Sequence, residues 1–294
     1  MERVGVLVHP TRPVQNAVEI LQRWTEDRGV RLVQIPTGEQ PPVAPCGEVS
    51  ACDLVTALGG DGTILEALHA AARTGTPVLS VACGSLGVLT TVPENELRTA
   101  LDRFAAGDWL ARHLPALDVS AGDGHLAWAI NDLVLARRGG TQLVVDVRVD
   151  EELYVRLAGD GIVVATPLGS SAYSMAAGGS LLAAGTNAFV CTPLAMHGGC
   201  AAPLVVPDDL EVTLEIHPGH GGFEFEIDGF VLETEAQRFS VSSEPAYVTL
   251  VGLGGSRSGL PRLRERGLIS DSPRVVAQEN RALHERGGDA SSRR

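Results

Sequence analysis

Over its first third the 294-residue chain alternates short β-branched runs with segments of helical apolar spacing, and no other feature constrains the fold as tightly. Val4 to Val8 reads as a strand and Val14 to Arg28 as a helix stopped by Gly29, a C-terminal cap residue. Arg31 to Ile35 is a second strand, followed by a Pro/Gly-rich loop from Pro36 to Gly47. Leu54 to Leu58 is a third strand, a helix follows from about Thr63 to Arg73, and Gly75-Thr76-Pro77 ends it. Val78 to Ala82 is a fourth strand, and Asn95 to Ala106 is a helix that closes the section. This order predicts a parallel sheet covered by helices.

From about Leu114 the pattern changes. His125 to Ala136, Gln142 to Val149, Leu153 to Leu157, Gly161 to Ala165, Phe189 to Pro193, Leu210 to Ile216, Phe223 to Ile227 and Ala246 to Val251 read as short strands between turn residues. Helix is scarce there, apart from a stretch starting near Ser171. An antiparallel, sandwich-like second domain is predicted. Phe223 to Gly229 alternates, with acids on one face; Glu224 and Glu226 read as a solvated face, while Asp228, beside a glycine turn, is left open. The expected boundaries are an α/β domain over 1–112 and a β-rich domain over 113–254. Residues 255–271 are expected to pack back onto the first domain, and 272–294 to form a largely disordered tail.

Composition removes several classes of function. Hydrophobic residues at 44% and charged residues at 20% supply enough apolar surface to offset chain entropy, so general disorder is excluded. No run approaches the roughly 18 apolar residues of a membrane span, and the N-terminal residues enter a strand pattern directly, so the expected compartment is the cytoplasm. A net charge of −13 argues against nucleic acid or an acidic membrane as partner. All 23 residues counted as Lys+Arg are arginine. A P-loop lysine, a Schiff-base lysine and a lysine general base are therefore impossible. A small anionic ligand remains admissible if backbone N–H groups and a metal ion handle its charge. The 5 cysteines form no CxxC pair and read as reduced, mostly buried thiols. His197 and Cys200 in H-G-G-C make half a metal site with no second half, so no protein metal ligand is assigned.

Three local patterns carry chemistry. In Leu58-Gly59-Gly60-Asp61-Gly62-Thr63 a strand runs through a glycine turn into a helix, a junction whose N–H groups and dipole cradle phosphate. An aspartate there would repel phosphate, which leaves it the role of general base toward a hydroxyl, indirect metal holding, or a plain helix cap. In Gly159-Asp160-Gly161 through Tyr173 a strand again enters a small-residue turn; Ser170 and Ser171 offer hydroxyls, and Tyr173 offers a ring to stack on a base. The structural alternative there is an N-cap with a core tyrosine. In Ala129-Ile130-Asn131-Asp132-Leu133-Val134 two polar residues interrupt an apolar strand, as a ligand-binding pair or as a bulge at a sheet edge.

Taken in order, these patterns resemble the NAD kinase family, which shares G-G-D-G with diacylglycerol-type lipid kinases and phosphofructokinases. The resemblance covers about residues 3 to 255. G-G-D-G-T is complete at Gly59 to Thr63. Gly84-Ser85-Leu86-Gly87-Val88-Leu89-Thr90 is similar to the family's G-x-L-G-F-L-T, with Val88 for phenylalanine. Asn131-Asp132 stands where the family has Asn-Glu or Asn-Asp. Asp160 through Tyr173 is similar to D-G-L-I-V-S-T-P-T-G-S-T-A-Y, Gly178-Gly179 follows, and Pro203 to Pro207 looks like R-P-L-V-x-P.

The resemblance implies a Rossmann-like α/β N-terminal domain, an all-β sandwich-like C-terminal domain and a site between them. It implies phosphorylation of the adenosine ribose 2′-hydroxyl of NAD by ATP, or polyphosphate, with a divalent cation such as Mg²⁺. Asp61 would be the general base, with Gly59, Gly60, Gly62 and Thr63 at the phosphate. Asn131 and Asp132 would hold the adenosine moiety of NAD and Asp160 its other end, with Ser171, Ala172, Tyr173 and Ala176 lining the pocket. A homodimer or homotetramer is implied as well. The chain departs from the pattern at Glu66, Ala158, Ala176, Ala202 and Phe230, where the family often carries basic or polar residues. Each swap removes a hydrogen bond or charge from the acceptor pocket, with His197, His217 and His220 as candidate substitutes. The competing readings are a related kinase for another hydroxyl acceptor (nucleoside, sugar or lipid) and a nucleotide-binding sensor without turnover.

Overall fold

A computed structural model describes residues 1–38, 40–84, 87–217, 222–254 and 259–278. The N-terminal part runs β1 (Arg3–Val8), α1 (Gln15–Arg28), β2 (Arg31–Gln34), β3 (Leu54–Gly59), α2 (Asp61–Ala72), β4 (Val78–Ala82), β5 (Val92–Pro93) and α3 (Leu97–Ala105). The strands pair in parallel in the order β4-β3-β1-β2, with β5 added on β4. Side-chain alternation along β1 explains the layers. Val4, Val6 and Val8 face α1 and α3, whereas Leu7 joins Val55, Ala57 and the apolar side of α2 on the other face. Buried Trp24 of α1 donates its indole N–H to Asp102 of α3 at 2.7 Å, tying those two helices together.

The remainder runs β6 (Leu110–Ala121), β7 (Gly124–Ala129), β8 (Asp132–Arg137), β9 (Leu143–Val149), β10 (Glu152–Gly159), β11 (Gly161–Ala165), α4 (Tyr173–Ala176), β12 (Ala188–Leu194), β13 (Leu204–Pro207), β14 (Val212–His217), β15 (Phe223–Ile227), β16 (Phe230–Val231), β17 (Arg238–Gly252) and α5 (Leu260–Glu265). Two sheets face each other here. One has the order β13-β12-β11-β8-β15-β16; the other comprises β10-β9-β14-β17 together with β6 and β7. Their inner faces meet in one core, in which Phe225 and Phe239 stack with ring centroids 4.5 Å apart. The fold is thus an N-terminal α/β parallel sheet with a C-terminal antiparallel β-sandwich, as the sequence predicts.

One strand joins the two parts. The first half of β17 pairs with β14, and Leu250 near its end pairs in parallel with Val78 of β4, so the parallel sheet and one sandwich sheet form a single 11-stranded sheet. Only Ala246 to Val251 was expected there as strand. The missed half holds the alternation Phe239-Ser240-Val241-Ser242, and its signal is interrupted at Pro245, where the register against β6 shifts between Glu244 and Val248. Strand β6 was missed for a similar reason, since Pro115 lies inside it.

The expected single strand from His125 to Ala136 is two. It breaks at residues 130–131, where the chain leaves one sheet for the other, so the polar pair is neither mid-strand nor an edge bulge. The acidic face of β15 is only half exposed: Glu224 and Glu226 are both partly covered, and burial with the neighbouring Glu224 raises the Glu226 carboxyl. Three of the cysteines are buried thiols, while Cys46 and Cys200 are exposed. Of the tail read as disordered, residues 279–294 lie outside the described residues, and 273–278 have helical backbone.

Candidate functional site

The site begins at the carboxyl ends of β3 and β4, the edge of an open parallel sheet where ligands bind. Gly60 is the N-cap residue of α2 and Asp61 its first helical residue. The Asp61 side chain does not cap its own helix. Instead Val88 N–H donates to Oδ2 and Leu89 N–H to Oδ1, both at 3.0 Å. These amides belong to the turn after β4, closed by Thr90 Oγ1, which accepts from Gly87 N–H at 2.7 Å. A Cβ at Gly87 would fall 1.9 Å from Asp61 Oδ1, so glycine there is what lets the carboxylate lie flat on the turn.

The four residues assigned to phosphate divide into two kinds. Gly59, Gly60 and Thr63 are buried and build the turn; a Cβ on Gly59 would sit 2.5 Å from Thr63 Oγ1. Gly62 is exposed, lies within α2 and faces open space, so packing has no need of a glycine there. A helical glycine costs about 1 kcal/mol relative to alanine. The glycine leaves the backbone there open to close approach. Arg12 was not anticipated. Its guanidinium lies over the glycine turn, with Nη1 3.2 Å from where a Gly60 Cβ would be and 3.8 Å from the corresponding point on Gly84.

Across the cleft, the break between β7 and β8 is held by Asp228. Its fully buried carboxylate accepts N–H bonds from Ile130 at 2.8 Å, Asn131 at 2.7 Å and Asp132 at 3.0 Å, and lies 2.6 Å from His69 Nε2 of α2. Asp228 and Gly229 both take positive φ and form the two-residue turn of the β15–β16 hairpin. From the other side Thr166 donates its N–H to Asn131 O at 2.9 Å and its hydroxyl to Ile130 O at 2.7 Å. The polar pair is therefore clamped from two directions, and its members differ. Asn131 lines a cavity, whereas Asp132 is buried, and burial together with Asp228 and Glu226 pushes its carboxyl up to about 7.

The cavity beside Asp61 has a volume of about 450 Å³, and Asn131, Ser171, Ala172, Ala176 and Arg266 share its wall. A second cavity of about 550 Å³ holds Asp160, Arg137 and Tyr173. The short helix α4 contributes to both walls, and the two cavities flanking it, with Asp61 in one and Asp160 in the other, together form the candidate groove. Tyr173 is 47% exposed, which rules out the core-tyrosine alternative. Ser170 is buried and donates to Pro167 O at 2.7 Å, and Ser171 donates to Leu168 O at 3.0 Å, so neither side chain caps α4. Asp160 accepts from Arg137 Nε at 2.6 Å.

Of the residues named as possible substitutes for lost pocket cations, the two that are described line neither cavity. His197 pairs with Gln142 at 2.5 Å, His217 faces Asp146 on the far sheet, and His220 lies outside the described residues, as do Ser85 and Leu86. Ala158, Ala202 and Phe230 line neither cavity; Ala176 does. The cations that do reach the groove are Arg137 and Arg266. In a chain without lysine an arginine had to fill this role, but which one is a matter of tertiary placement. Among the described residues no three His, Cys, Asp or Glu side chains come together as a metal cage.

Solved structures sharing the fold include yeast NADH kinase complexed with NADH (TM-score 0.75, 22% identity, covering 92% of this chain and 89% of that one). An NAD kinase from Archaeoglobus fulgidus in complex with ATP gives a TM-score of 0.72 at 19% identity, covering 91% of this chain and 100% of that one. The class is therefore that of the two-part NAD(H) kinase fold. Residues 4–109 match the ATP-NAD kinase N-terminal domain and residues 130–242 the ATP-NAD kinase C-terminal domain. An NAD kinase of Heliobacterium modesticaldum is 32% identical over 242 residues (78% of this chain, 85% of the relative), and one of Koribacter versatilis 33% over 247 (79% and 85%). The chain belongs to the ATP-NAD kinase family.

Proposed function

We propose that this chain transfers the γ-phosphoryl group of ATP to the 2′-hydroxyl of the adenosine ribose of NAD, giving NADP. The observation that carries the reading is Asp61, a carboxylate fixed by two backbone N–H groups on the wall of a cavity it shares with Asn131 and α4. Its Oδ1 accepts one bond and keeps a lone pair for the hydroxyl proton. As that proton moves to Asp61, the ribose oxygen attacks the γ-phosphorus. The bond to the β-phosphate oxygen breaks, and its electron pair leaves with ADP.

NAD would lie along the groove, its adenosine moiety by Asn131 with Asp132 buried behind it, Ser171, Ala172 and Ala176 beside it, and its other end by Tyr173 and Asp160. Gly59, Gly60, Gly62, Thr63 and the guanidinium of Arg12 surround the donor phosphates. With no three-residue metal cage among the described residues, Mg²⁺ would ride on the triphosphate oxygens and neutralise their charge there. Polyphosphate, which offers the same phosphoryl chemistry to this turn, is a second donor to test. In domain terms, 1–112 and the returning 255–271 would serve the donor and 113–254 the acceptor.

We read the enzyme as a cytoplasmic homodimer or homotetramer, a state light scattering measures directly; Phe230 and Val231, exposed on β16, offer an apolar face for association. No helix among the described residues is long and apolar enough to cross a membrane. The test is NADP formation from ATP, Mg²⁺ and NAD by the purified protein beside Asp61→Asn. The variant should lose about 10²–10⁴-fold in kcat while its melting temperature stays close to wild type. An unchanged rate would remove Asp61 from the base role.

A further inference from the structure

Arg266, just past α5, reaches back into the groove. Its Nη1 lies 2.9 Å from Asp61 Oδ2, and it shares the wall of the acceptor cavity with Leu268 and Asn131. The segment that carries it is docked. Leu263 is buried, Arg262 donates to Thr91 O at 3.1 Å, and Arg264 pairs with Asp271. Burial and the neighbouring Arg112 lower the pKa of Arg262, and Glu265 and then Asp61 partly offset them. The returning segment thus brings positive charge to one edge of a site whose base is an anion and whose substrates, on the reading above, are anions too.

A guanidinium on the base is at first sight an obstacle, since it stabilises the carboxylate against taking a proton. Its position resolves the difficulty. The side chain of Arg266 is 40% exposed and is tied to Asp61 through one nitrogen, which leaves the rest of its fork toward the cleft. When a γ-phosphoryl group enters beside Asp61, in line with a ribose hydroxyl that stays within reach of the carboxylate, its three oxygens offer this fork a stronger partner than a single carboxylate oxygen. Transfer of the guanidinium from Asp61 to the phosphoryl oxygens frees Oδ2 and places positive charge where the transition state spreads negative charge. The role needs a planar, permanently charged group within one residue's reach of both partners, and Arg266 is the side chain placed to supply it.

We propose that Arg266 is a catalytic residue, delivered by the C-terminal segment to stabilise the transferring phosphoryl group beside Asp61. The proposal rests on the kinase reading, and its test separates the two. Arg266→Gln should lower kcat about 10²–10³-fold while the KM for NAD changes less than threefold, and Arg266→Lys should recover part of the loss. An unchanged kcat in Arg266→Gln overturns the proposal, and a raised kcat overturns it in favour of an inhibitory latch. Binding of ADP with aluminium fluoride, followed by thermal shift, reads the donor side without NAD. It should weaken at least tenfold in Arg266→Gln; equal binding by both proteins also overturns the proposal. Absence of NADP formation by the wild type counts against NAD as acceptor and leaves the aluminium fluoride comparison to decide Arg266.

Discussion

Asp132 faces Asp228 and Glu226 from inside the sandwich wall, and a carboxyl in such a place prefers its proton. Burial first, and then those two anions, raise it from the usual carboxylate range to about 7. The folded state therefore holds a proton between about pH 4 and 7 that the unfolded chain has released, and stability falls as pH rises through that window. Asp132→Asn removes the effect. Thermal melts should show the variant more stable than wild type at pH 8, by on the order of 1–3 kcal/mol, and nearly equal at pH 4. Equal pH slopes in the two proteins would mean that Asp132 is already charged at neutral pH.

The elements around the site meet at one buried side chain. Asp228 sits in the β15–β16 turn, receives three N–H groups from the break between β7 and β8, and touches His69 of α2. Asparagine in its place offers one carbonyl oxygen and a misplaced donor. Asp228→Asn should cost about 2–4 kcal/mol from unsatisfied buried amides and should raise the KM for NAD more than it lowers kcat, because Asn131 loses its anchor. A variant with wild-type KM and melting temperature would show that the clamp from Thr166 suffices. The contributing pieces are visible in the sequence as Ile130-Asn131-Asp132, Asp228-Gly229 and Thr166-Pro167, but nothing in their spacing says that they touch. His69 lies 159 positions from Asp228, and only the packing of α2 beside the sandwich brings the two together.

At the scale of the molecule, β17 decides how the two parts behave. A single strand pairs with β6, β14 and β4, so the parallel sheet and the sandwich share backbone hydrogen bonds and an unbroken chain segment. Neither part can unfold without exposing an edge of the other. Calorimetry at neutral pH should therefore give one transition with matching calorimetric and van't Hoff enthalpies; two separated transitions would show that the junction is weak. A frame that ties both walls of the groove through one strand also suits a reaction that depends on placing a hydroxyl, a base and a phosphoryl group within bonding distance.

Local rules fixed much of this protein before any folding was considered. Alternating apolar residues and capping glycines determined the strands and helices of the parallel sheet, because those signals depend on near neighbours in the chain. The turn at Gly59 to Thr63 was legible for the same reason: a strand, a glycine turn and a helix start are local objects. The absence of lysine determined that arginine would carry every permanent positive charge on a side chain. What remained was decided only by tertiary structure. Pro115 and Pro245 hid β6 and half of β17, since their strand character comes from partners and not from propensity. The anchoring of Asp61 by Val88 and Leu89, the Asp228 clamp and the return of Arg266 to Asp61 all join residues far apart in the chain. Such contacts follow from how sheets and helices pack in three dimensions, a property that no window of sequence contains.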